Sequence, residues 1–155
     1  MKKLLSLLLQ MILVSSAMAQ DVSSFHEQEI ECLGVELDGS QTLRSFGSGR
    51  NKADAVEQAK KNAVMAVIFY GIRGGMSGCD TRPLLNEPNA REKYEEYFNI
   101  FFMDKGEYLK YVSMEDQKRR SKDKSKNKYV KNYKITVRVL RSELKARLKA
   151  DNVLK

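Results

Sequence analysis

From Glu29 the chain alternates, with Leu33, Val35 and Leu37 on one side and Ile30, Cys32, Gly34 and Glu36 on the other, which is the period of a strand. Asp38-Gly39 supplies the positive φ angles of a tight turn, so Thr42-Leu43-Arg44-Ser45-Phe46 is predicted to return as a second strand. Gly47-Ser48-Gly49 then breaks the alternation, and the spacing changes to that of a helix. Asn51 is placed to cap it, Asp54 holds the capping-box position, and Val56, Ala59, Ala63, Val67 and Tyr70 form one apolar stripe. Gly71 and the run Gly74-Gly75-Met76-Ser77-Gly78 end that helix, and a loop through Cys79, Arg82-Pro83 and Glu87-Pro88 follows.

A second helix is predicted with Asn89 as its N-cap and Glu92 completing a capping box. Ala90, Tyr94, Tyr97, Phe98 and Phe101 give it a buried face, and Asp104-Lys105-Gly106 stops it. Tyr108 to Met114 and Tyr129 to Leu140 alternate again, the latter with Tyr133, Ile135, Val137 and Val139 on one side. Ser142 is placed to cap a short final helix whose Leu144 and Leu148 face inward. The order β-β-α-α-β-β-α predicts an α+β fold, an antiparallel sheet of about four strands packed against helices on one face.

The first residues change where this fold is expected to live. Met1-Lys2-Lys3, the apolar run Leu4 to Val14 and Ala17-Met18-Ala19 have the charge, length and small-x-small cleavage site of a secretory signal peptide over residues 1–19. The mature chain would begin at Gln20, with a polar, flexible segment over 20–28 holding the sole histidine, His26, and a single α+β domain over 29–155. The expected location is the periplasm or the cell-envelope surface. An oxidising compartment makes Cys32 and Cys79 a candidate disulfide, with two partly buried thiols as the alternative.

Charge is concentrated. The formal net charge of the 155-residue chain is +8. Lys118, Arg119, Arg120, Lys122, Lys124, Lys126, Lys128, Lys131 and Lys134 face only Asp123 within their segment, and the rest of the mature chain is slightly acidic. A basic hairpin connection over 117–128 is therefore a candidate polyanion-binding element, through Lys118, Arg119, Arg120, Lys122, Lys124, Lys126 and Lys128. Nucleic acid is disfavoured, because only Tyr129 and Tyr133 could stack bases among these charges, and an anionic membrane surface or lipopolysaccharide phosphate fits an exported chain better.

The residues needed for most site chemistry are sparse. One histidine and two distant cysteines do not make a metal site, and no cofactor is expected. The glycines at 71, 74, 75 and 78 follow a helix instead of preceding one, and lack the Gly-Lys-Ser/Thr ending of a phosphate cradle. Asp80, Glu87, Asp104 and Asp116 could converge in space, but no spacing singles any of them out as a catalytic pair. The chain reads as a non-enzyme. Glu92, Glu95 and Glu96 read as a solvated helix face, whereas Ile100, Phe102 and Met103 lie off the buried stripe of the second helix. Those three form a candidate surface for an envelope protein or for self-association.

The stretch from Gly47 to Val64, a glycine-bounded turn into an alanine-rich helix after a hairpin, resembles the N-terminal module of the FlgT family of flagellar envelope proteins and the related Helicobacter-type surface lipoproteins. Through Arg82-Pro83-Leu84, Asn89-Ala90-Arg91-Glu92 and Tyr97-Phe98-Asn99, the mature chain also resembles a family of small exported, functionally uncharacterised proteins of Bacteroidota. What these resemblances imply is a small α/β fold and an accessory role in the envelope through contacts with other proteins. The chain departs from the lipoprotein members in having no cysteine at the cleavage site.

Overall fold

The first hairpin forms where alternation and turn chemistry coincide. In the computed structural model, which describes residues 30–115 and 131–155, strand β1 (Glu31–Val35) pairs antiparallel with β2 (Gln41–Gly49). Gly39 takes φ +78° in the turn, and the Asp38 carboxylate accepts the Ser40 amide at 2.8 Å. The register slips between Cys32 and Gly34, and the core takes the row of Cys32. Val35 and Leu37 are left 46% and 110% exposed. β2 is longer than its sequence pattern predicted: Gly47-Ser48-Gly49 stay in the strand and pair with residues Tyr133 to Lys131 of β5 (Lys131–Val139).

Helix α1 (Lys52–Met65) starts as expected, with the Asn51 side chain accepting the Asp54 amide at 3.0 Å. It ends in a π turn over Ala66–Tyr70, closed by Gly71 at φ +76°, whose amide donates to the Ala66 carbonyl at 2.7 Å. The Val67 and Ile68 carbonyls accept the amides of Leu84 and Leu85, each at 2.9 Å, so the frayed end is satisfied by the following loop. Widening the last turn shifts its phase. The buried set becomes Ala55, Ala59, Ala63, Val64, Ala66, Val67 and Ile68, while Val56 is half-buried and Tyr70 is 46% exposed, which corrects the expected stripe.

Gly74-Gly75 do more than stop a helix. They form strand β3 (Gly74–Gly75), parallel to β1, with the Met76 amide donating to the Cys32 carbonyl at 2.9 Å. A side chain on Gly75, which sits at φ +120°, would fall on the Cys32 backbone, so only glycine permits this approach. The sheet therefore has five strands in the order β3-β1-β2-β5-β4, mixed but mostly antiparallel, in place of about four antiparallel strands. The α+β class holds, with the element order β-β-α-β-α-α-β-β-α.

The second predicted helix is broken into α2 (Ala90–Lys93) and α3 (Glu95–Phe101). Asn89 lies in the left-handed region at φ 59° and its side chain makes no capping bond, since a capping residue needs extended backbone. Tyr108 to Met114 is not one strand. A 3-10 turn over Glu107–Tyr111 brings Tyr108 and Tyr111 to the same side, both buried, and strand β4 (Val112–Met114) follows. In β5 the inward row is Ile135, Val137 and Val139. Helix α4 (Arg141–Ala150) starts at Leu140 without a side-chain cap, so Ser142 is not the cap, but Leu144 and Leu148 are fully buried as expected.

One core joins sheet and helices. Ser45, buried on the inward row of β2, donates its hydroxyl to the Ala59 carbonyl at 2.8 Å, and Asn62 Nδ2 donates to the Phe46 carbonyl at 2.8 Å. Small residues on both sides let α1 lie close against β2. Among the described residues, no helix is long and apolar enough to cross a membrane. The signal-peptide segment, His26, Asp116 and the basic residues 118–128 lie outside the described residues.

Candidate functional site

Two surface features are held unusually firmly by the fold. The first is the loop after β3. Cys32 in β1 is fully buried and bonded to Cys79, with Cα atoms 6.3 Å apart, so the pair is a disulfide and not two thiols. The bond fits an oxidising, extracytoplasmic compartment. The loop it pins is closed at its base, where the Ile72 amide donates to the Thr81 carbonyl at 2.9 Å. Arg141, nearly buried at the start of α4, donates to the Asp80 carboxylate at 2.9 Å and to the Arg82 carbonyl at 2.7 Å, while Gln41 Nε2 donates to the Asp80 carbonyl at 3.0 Å. Nothing periodic in the sequence marks Gln41 or Arg141 as partners of this loop. Its tip presents Met76, 63% exposed.

The second feature is the end of α3. Phe98 lies at the centre of a ring cluster, 4.6 Å from Phe69 and 5.0 Å from Tyr97 between centroids. Phe101 stacks on Tyr111 at 6.0 Å. Phe102, expected at the surface with Ile100 and Met103, belongs to this cluster: it is 9% exposed, 5.1 Å from Phe101 and 5.7 Å from Tyr108. It occupies the helix C-cap, where the backbone leaves helical geometry, and the turn through Gly106 carries the chain back beneath its ring. Ile100 and Met103 remain outside, 66% and 56% exposed. The candidate surface thus keeps two of its three residues.

Around these features the ionisable groups are tied to separate partners. Asp80 is held by Arg141, Glu87 by Lys93 and Asp104 by Lys61, so each of these carboxylates has a cationic partner of its own. Hydrogen bonds and charge from Lys93 and Lys61 hold Glu87 and Asp104 below the usual carboxylate range. Tyr108 is fully buried and donates to Glu57, and burial with this bond pushes its pKa well up. Among the described residues, no group of three or more His, Cys, Asp or Glu side chains is placed to hold a metal ion.

Helices α3 and α4 are clamped by charge. Tyr97 donates to Asp151 Oδ2 at 2.6 Å, and Arg147 Nε donates to the same oxygen at 2.6 Å. Burial works against ionisation of Asp151, but the bonds from Arg147 and Tyr97 outweigh it and lower the pKa. A lowered folded-state pKa contributes stability that is present above the unfolded value, near 3.9, and is lost as pH falls through the folded value. The stability difference between the protein and Asp151→Asn is accordingly expected to shrink from pH 6 toward pH 2.5 in urea titrations. A difference that stays constant over that range would remove the clamp from the acid response.

Comparison with protein-family models, curated proteins and solved structures gives no match to this chain.

Proposed function

We propose that the chain is a non-enzymatic accessory protein of the cell envelope, in the manner of the small exported Bacteroidota family it resembles, and that it works by binding another protein through the end of α3. One observation carries this reading. Ile100, on the last turn of α3, and Met103, two residues beyond its end, are large, apolar and more than half exposed, and Phe98 and Phe101 fix the other face of that helix. Burying such side chains would stabilise a complex by roughly 1.5–3 kcal/mol each at best, and a rigid backbone reduces the ordering cost of doing so. The Cys32–Cys79 bond supports the compartment, and the signal-like first 19 residues point the same way. A second reading, peripheral binding of anionic lipid or lipopolysaccharide, is favoured by the cationic segment 118–134 in the sequence.

Both are tested with one set of variants. Ile100→Asp with Met103→Asp is expected to leave the urea midpoint nearly unchanged, within about 0.5 kcal/mol per site. A photo-crosslinking residue at position 100 should give a discrete adduct with one envelope protein in living cells, with none from the exposed position of Lys145. The double variant should lose co-purification of that protein. If position 100 gives no adduct while vesicle binding is strong at low salt and collapses at high salt, the lipid reading replaces this one.

A further inference from the structure

The two ends of the Cys32–Cys79 bond lie in unlike surroundings. Cys32 is 0% exposed within the core cluster, whereas Cys79 is half-buried between the exposed Gly78 and Asp80. The surface beside Cys79 is open, since a methyl group added to Gly78, which sits at φ +101°, would meet nothing within 4 Å. Thiol–disulfide exchange needs an incoming thiolate within reach of one sulfur while the other leaves. Access therefore selects Cys79 as the sulfur attacked and Cys32 as the one that leaves. Once protonated, the Cys32 thiol can stay packed where it is, because a neutral thiol behaves as a small apolar group.

What the bond fastens is a strap over the outer edge of the sheet. Residues 73–78 are all exposed, and they pair with β1 through the two residues of β3 and the Met76 amide on the Cys32 carbonyl. Gly74 and Gly75 have no side chains to bury, so packing does not hold them there. The chain on either side has anchors of its own. Before the strap, the Gly71 amide donates to the Ala66 carbonyl at 2.7 Å. After it, Arg141 and Gln41 hold Asp80, and the Leu84 and Leu85 amides are bonded to the end of α1. Cutting the bond thus frees the strap and leaves both its flanks attached.

We propose that Cys79 is a thiol-exchange site at which a separate dithiol molecule opens this strap, so that Gly74-Gly75 leave β1 and the outer edge of the sheet is uncovered while the rest of the domain stays folded. The incoming thiolate bonds to Cys79 Sγ as the Cys32–Cys79 bond breaks, and the electron pair leaves on Cys32 Sγ, which takes a proton. A monothiol stops there and is expelled again, because the Cys32 thiol remains tethered to the mixed disulfide at high effective concentration. In a dithiol the second thiolate attacks its own partner sulfur, Cys79 leaves and takes a proton, and the reductant departs as a disulfide. A pair of electrons and a pair of protons have then passed to the protein. β1 loses its outer neighbour, and its backbone at Cys32 becomes an open strand edge.

The test starts from the purified protein with its bond formed, in buffer without denaturant. Glutathione, followed by acid quench and peptide mapping, should place an adduct on Cys79 and none on Cys32. Dithiothreitol should reduce the bond with the far-ultraviolet circular dichroism retained. The Met76 amide should then exchange about tenfold faster or more, while those of Leu84 and Leu85 stay slow. Single variants read the same asymmetry without a reductant: the thiol left in C32A should react with dithionitrobenzoate about tenfold faster than the one left in C79A. An adduct on Cys32, or equal reactivity of the two variants, would overturn Cys79 as the exchange site. Unchanged protection of Met76 after reduction would overturn the strap, and so would loss of protection at Met76, Leu84 and Leu85 together, since the bond would then hold the whole fold. A native bond that dithiothreitol leaves intact would overturn both.

Discussion

Replacing both cysteines by alanine is expected to cost the fold about 2–5 kcal/mol. The bond joins residues 47 apart, and closing a loop of that length restricts the unfolded chain by an amount worth about 4 kcal/mol. The native state loses local order as well. β3 has two residues, and without the bridge it is held to β1 by backbone hydrogen bonds alone. Urea unfolding of the C32A/C79A protein should show the shifted midpoint. Amide exchange should accelerate at Ile72, which donates at the loop base, and at Met76, which donates to Cys32 of β1, far more than at Val137 and Val139 of β5. If the midpoint and these amides are unchanged, then Arg141 and Gln41 already hold the loop and the bridge adds nothing.

Gly47→Ala is expected to cost about 1–3 kcal/mol or more, an overpacking loss without a side-chain escape. The new methyl group would fall on the Ala55 carbonyl oxygen and the Ala59 backbone nitrogen, and lie 2.9 Å from Ala59 Cα. These are backbone atoms of α1, so relief requires the helix to lift from β2, and that breaks the buried bond from Ser45 to the Ala59 carbonyl. Gly34→Ala is the matched control. It also lies in a strand, yet an added methyl there meets nothing within 4 Å, and the change should be neutral or slightly stabilising. Equal urea midpoints for the two variants would mean that the contact between α1 and β2 is not close-packed at this point.

If the docking surface is as proposed, the rest of the molecule serves to hold it still. The rings of Phe98, Phe101 and Phe102 fix α3 against Tyr108 and Tyr111, and Asp151 ties the same helix through Tyr97 to α4. Ile100 and Met103 are then presented with little left to order on binding, which is where affinity is most easily lost.

Short-range chemistry determined much of this protein. The glycine of the Asp38-Gly39 turn, the Asn51 cap and the inward Leu144 and Leu148 each follow from neighbours a few positions apart, and they stand in the structure as the sequence predicts, although Asp38 does not share the positive φ of Gly39 and the Asp54 carboxylate pairs with Arg50 instead of closing a capping box. The cysteine pair and the acidic helix face were legible for the same reason, being statements about residue type. Tertiary structure decided what depends on approach between distant segments. Gly74-Gly75 became a strand because Cys32 lies beside them, and the π turn at Ala66–Tyr70 persists because Leu84 and Leu85 satisfy its carbonyls. Phe102 turned inward because Tyr108 offered a ring to pack on, and Arg141 found Asp80 from 61 positions away. No local pattern encodes such partners. Side-chain periodicity tells which residues share a face, whereas burial of that face depends on what the rest of the chain brings against it.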